Sequence, residues 1–132
     1  MLRFYVCRYP FSLVVAVAIV LLSLLPMPEV KVVENVPLAD KWTHMVMYGT
    51  LTLTIWMEYL RRHHALSASR LLLLAFLAPI VMGGTLELLQ AYCTTCRSGE
   101  WLDFVANSIG VCLGTAVGLL LHRFRPSFLA AK

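Results

Sequence analysis

The residues of this chain that could do chemistry fall in three short groups: Asp40, Lys41, His44 and Tyr48; then Glu87 and Gln90; then Arg97, Asp103 and Asn107. On a helix, Asp40, His44 and Tyr48 stack at i, i+4 and i+8, and Lys41, three residues before His44, reaches the same rim. Glu87 and Gln90 are helical neighbours, and Asp103 and Asn107 share a face with Gly110 and Gly114. Brought to one depth, they supply an imidazole, carboxylates and amides, the groups needed for a general acid, a general base and a clamp around a polar head group. His44 and Glu87 are the catalytic candidates. Asp40, Lys41, Tyr48, Gln90, Arg97, Asp103 and Asn107 are substrate-binding candidates, with Lys41 and Arg97 holding a phosphate or carboxylate and Asp40 or Asp103 orienting the cations. Each has an ordinary alternative: Asp40 and Asp103 stand where carboxylates cap helices, and Gln90 and Asn107 suit interhelical hydrogen bonding.

The elements that must position these groups are apolar. The 132 residues are 60% hydrophobic and 14% charged, with a mean hydropathy of +0.78, too little polar surface to solvate a small globule. Four runs approach the ~20 residues that cross a bilayer: Pro10 to Leu25, Trp42 to Leu60, Leu71 to Tyr92 and Leu102 to Leu121. The expected fold is all-α, one four-helix transmembrane domain over residues 1–132. The first run is expected to remain as a helix, because Pro26-Met27-Pro28-Glu29 offers no small-x-small cleavage site. With both termini cytoplasmic, Arg3, Arg8, Arg61, Arg62, Arg70, Arg123, Arg125 and Lys132 lie inside and only Lys31, Lys41 and Arg97 outside, which satisfies the positive-inside rule. The net charge of +4 then reads as an orientation signal and contact with anionic lipid, not as nucleic-acid binding.

Local irregularities add detail. Pro79, with Gly83-Gly84 a turn later, predicts a kink that opens space beside Glu87. Gly110, Gly114 and Gly118 form a small-xxx-small stripe for close packing of another helix. Ser67 and Ser69 are available to cap the third helix, and Glu58 reads as an exposed helical partner of Arg61 and Arg62. The prolines and the alternating stretch in residues 26–39 fit a short strand or an interfacial segment. Cys93 and Cys96 form a C-x-x-C pair whose two thiolates do not complete a zinc site. A local disulfide is favoured over free thiols and over a metal shared with His44 and Glu87. No metal or cofactor is expected.

The order Asp40-Lys41-x-x-His44-x-x-x-Tyr48, Glu87-x-x-Gln90, then Arg97 followed by Asp103, Asn107 and Gly110, resembles the VanZ-like family. The resemblance runs from about Asp40 to Gly118 and departs from the family at Tyr92-Cys93-Thr94-Thr95-Cys96, where an apolar, Pro/Gly-containing segment is usual. It implies a small integral protein of the bacterial cytoplasmic membrane whose namesake is linked to low-level resistance to the glycopeptide teicoplanin, and it implies no particular reaction. The expected partner is a membrane lipid or a lipid-linked envelope molecule. A catalytic site acting on such a molecule and a non-catalytic binding or structural module are both consistent with these residues.

Overall fold

A computed structural model describes residues 6–25, 37–63, 65–95 and 99–124. Those residues contain no strand, and five α-helices and one π-helical segment account for most of them. The helices are α1 (Pro10–Leu24), α2 (Ala39–Arg62), α3 (Ala68–Leu71), α4 (Ala78–Cys93) and α5 (Trp101–Arg123), with the π segment Leu72–Leu77 joining α3 to α4. Arg97, Cys96 and the alternating stretch 29–34 lie outside the described residues.

The third apolar run is a continuous helical rod, Ala68–Cys93, but its irregularity is a π turn rather than a kink alone. The cause is Pro79, which has no N–H for the carbonyl a turn below and whose ring would crowd it. Widening the preceding turn relieves that crowding. This rod and α5 are long and apolar enough to cross a membrane, with mean hydropathies of 2.1 and 1.9, and only 33% of each apolar window is buried within the protein. A core helix of a soluble protein would be mostly covered. Here Leu72, Leu77, Val81 and Leu88, and Val105, Ile109, Leu113 and Val117, face outward. Of the four runs read as spans, two meet that length and composition. At 15 residues, α1 rises about 22 Å, short of the ~30 Å hydrocarbon core. Helix α2 has 24 residues but is too polar to be counted with them; His44, Thr52 and Glu58 among its polar residues are buried against its neighbours.

Those neighbours surround α2. His44, Tyr48, Leu51, Thr52, Ile55, Trp56 and Tyr59 make one buried stripe with helical spacing. The most extensive pairing is with α5, where the glycine stripe lets the backbones meet. A Cβ at Gly110 would stand 2.2 Å from the Met45 carbonyl oxygen, one at Gly114 2.7 Å from that of Gly49, and one at Gly118 2.3 Å from the Trp56 ring.

Glu58 is not the exposed partner of Arg61 and Arg62 that its spacing predicts. It is buried, 6% exposed, and caps α1: Oε1 accepts the Phe11 N–H and Oε2 the Ser12 N–H, both at 3.0 Å, while the Ser12 hydroxyl donates to Oε2 as well. The first turn of a helix has free N–H groups and a positive dipole end, and α1, opened by Pro10, has no side-chain cap of its own. Glu58→Ala is therefore expected to cost about 2–3 kcal/mol and to release α1 first. Hydrogen exchange at Phe11 and Ser12 should accelerate well before exchange in α5, and equal protection in the variant would refute the cap. Ser67 likewise makes no side-chain cap. Its N–H donates to the Tyr59 hydroxyl at 2.9 Å, which ties the start of α3 to α2.

Candidate functional site

The N-terminal turns of α2 and α5 and the C-terminal turns of α4 come together at one end of the molecule, and their polar side chains meet there. His44 is buried. Its Nδ1 lies 3.1 Å from Oδ1 of Asn107, 3.9 Å from Oε1 of Glu87, and its Nε2 lies 3.7 Å from Asp40 and 3.8 Å from Asp103. An amide oxygen only accepts, so the Nδ1–H donates to Asn107. Asn107, on the helical face set by the glycine stripe, is 1% exposed. Glu87 is nearly buried, and its Oε2 accepts the N–H of Glu100 at 3.2 Å, which pins the segment entering α5 against α4.

Lys41 lies at the hub of the rim. Its Nζ stands 2.5 Å from Asp103, 2.6 Å from Glu100 and 3.4 Å from Asp40. Burial works against its charge, but the hydrogen bonds to Asp103 and Glu100 outweigh that and raise its pKa above the ordinary lysine value. This changes the role expected of it. An ammonium already matched by three carboxylates is not a free anion clamp, and the described cluster is acidic: Asp40, Glu87, Glu100 and Asp103 against Lys41 alone.

Gln90 faces elsewhere and Tyr48 lies beneath the cluster. Gln90 is buried, but its Nε2–H donates to the Ser23 carbonyl at 2.8 Å, in the last turn of α1. Tyr48 lies a turn deeper and is buried beside Asn107: a Cβ at Gly83 would come 3.3 Å from the Tyr48 ring and 3.1 Å from the Asn107 amide nitrogen. Glu100 joins the cluster although its spacing in the sequence does not single it out. The available signal was an acidic residue just before a helix, which capping alone would also explain.

Beside Glu87 a cavity of about 440 Å³ opens between α4 and α5, walled by Leu88, Tyr92, Trp101 and Phe104, with Gly84 at its side and Glu87 and Glu100 as its carboxylates. Trp101 and Phe104 meet edge to face, ring centroids 6.3 Å apart. Cys93, at the end of α4, is exposed. Its partner in the C-x-x-C pair, Cys96, lies outside the described residues. Compared with known proteins, the chain matches no family model, no curated protein and no solved structure.

Proposed function

We propose that this chain is a VanZ-like, multi-pass protein of the bacterial cytoplasmic membrane, and that the cavity beside Glu87 receives the head group of an amphipathic envelope molecule, a lipid-linked precursor or a phospholipid. The observation that carries this reading is the cavity's division of chemistry. Its walls are apolar and aromatic, while its floor holds the Glu87 carboxylate backed by the His44–Asn107 pair. Tyr92 and Trp101, both 84% exposed, stand at the cavity mouth where a span meets the surface, the usual place of interfacial aromatics. A tail lying along lipid-facing Leu88 and a head reaching Glu87 would use both parts. The distribution of lysine and arginine supports an outward-facing site with cytoplasmic termini.

In the catalytic version Glu87 exchanges a proton with the bound head group and His44 supports it through Asn107. A binding-only version is favoured by one distance: His44 and Glu87 stand 3.9 Å apart, beyond a hydrogen bond, so no acid–base pair is assembled without ligand. Mass spectrometry of membrane lipids tests both. In a strain lacking the protein, one lipid-linked or phospholipid species should change, return with the wild-type gene and stay changed with Glu87→Gln, with teicoplanin susceptibility following it. An unchanged lipid profile, with purified wild-type protein still retaining a specific envelope lipid, would select the binder. An unchanged lipid profile together with a purified protein that retains no lipid would overturn the proposal.

A further inference from the structure

Asp40 and Asp103 are each shared between two cationic positions, and only one of those positions is filled. One oxygen of each carboxylate faces Lys41 Nζ, Oδ2 of Asp40 at 3.4 Å and Oδ1 of Asp103 at 2.5 Å. The other oxygen of each faces Nε2 of His44, Oδ1 of Asp40 at 3.7 Å and Oδ2 of Asp103 at 3.8 Å. These last distances are too long for hydrogen bonds, and Nε2 has no hydrogen-bond partner among the described residues. Because Nδ1–H is committed to Asn107, the neutral ring carries its lone pair on Nε2. Three lone-pair donors therefore converge on one gap, all within 4.8 Å of one another. His44 is 6% exposed and Asp103 5% exposed, so water does little to separate them.

We propose that Asp40, His44 and Asp103 bind a divalent transition-metal cation of the zinc type. This rests on the reading of the cavity as a head-group site, for which the cation would supply the positive charge that Lys41 cannot: an open coordination position for a phosphate oxygen. Three protein ligands with a remaining open position is the pattern of a reactive zinc centre. A ligating histidine whose other N–H is held by a carbonyl is the usual support, and Asn107 provides it. With bonds of about 2.0–2.2 Å, tetrahedral ligands stand about 3.4 Å apart, so the two distances to His44 need to close by only a few tenths of an ångström. The widest separation closes by rotation of Asp40, whose side chain is 58% exposed. Charge agrees as well. Asp40, Glu87, Glu100 and Asp103 exceed Lys41 by three negative charges, an excess that one divalent cation cuts to one while His44 stays neutral. An imidazole with two carboxylates favours zinc-like ions over magnesium or calcium.

The test uses the full-length protein in detergent with Cys93→Ser and Cys96→Ser, so that no thiol pair competes. After chelator treatment it is offered Zn²⁺ alone, desalted and subjected to elemental analysis, and a parallel sample receives Co²⁺. One metal per chain is expected, with visible cobalt bands free of thiolate charge transfer. His44→Ala and Asp103→Asn on the same background should weaken Zn²⁺ binding at least tenfold while circular dichroism stays helical. Asp40→Asn, altering a largely exposed side chain, should weaken it without risk to folding. Sub-stoichiometric zinc, or undiminished binding by Asp40→Asn and His44→Ala, overturns the site. A metal-free protein that still restores the lipid profile would overturn this inference and keep the head-group reading. A zinc-binding protein with no effect on lipids and no lipid retention would do the reverse.

Discussion

Glu87→Gln is expected to fold and insert as the wild type does and to lose function by two orders of magnitude or more. The substitution preserves shape, and the glutamine carbonyl can still accept the Glu100 N–H that Oε2 accepts at 3.2 Å, so the structural cost should be about 1 kcal/mol or less. What disappears is the carboxylate on the cavity floor. If it serves as a general base, about 10²–10⁴-fold in rate goes with it. If it only binds, retention of the envelope lipid falls while the protein's thermal transition barely moves. The check is paired: unfolding temperature in detergent, and complementation of the lipid profile. An inserted Glu87→Gln protein with full complementation would remove Glu87 from the site altogether.

Gly110→Ala should cause a large loss of stability for a single added methyl group. Its Cβ would meet the Met45 carbonyl oxygen at 2.2 Å and the Gly49 nitrogen at 3.0 Å, and both are helix backbone that cannot rotate away. Helices α2 and α5 must separate, at a cost of about 3 kcal/mol. Separation also carries Asn107, less than one turn away on α5, off His44, so stability and function should fall together. Gly84→Ala is the control. There a Cβ would come 3.2 Å from the Phe104 ring, a side chain that can shift, and the loss should stay under about 1 kcal/mol. Equal unfolding temperatures for the two variants would contradict the close approach of α2 and α5.

Much of the architecture was legible because it depends on local periodicity. Long apolar runs dictate helices, the glycine repeat on α5 dictates a face that another backbone can approach, and antiparallel helices must carry Asp40, Glu87 and Asp103 to one end. Pro79 announced a disturbed turn, though whether the chain bends or widens into a π turn depends on what packs around it.

What sequence spacing could not decide was which distant group needed each polar side chain. Glu58 has arginines at helical spacing, yet the free N–H groups opening α1 hold it, since three hydrogen bonds, two of them buried, outweigh an exposed ion pair. Gln90 lies one turn from Glu87 and still turns to the Ser23 carbonyl in the last turn of α1. Lys41 looked like an anion clamp until Glu100 and Asp103 arrived within 2.6 Å of it. The sequence by itself determined helix class, apolar faces and the depth of each polar residue, because these follow from a repeat of 3.6 residues. The pairing of charges and the convergence of Asp40, His44 and Asp103 on one gap were decided by tertiary structure, because Coulomb and hydrogen-bond energies depend on distances across helices that no spacing along one helix contains.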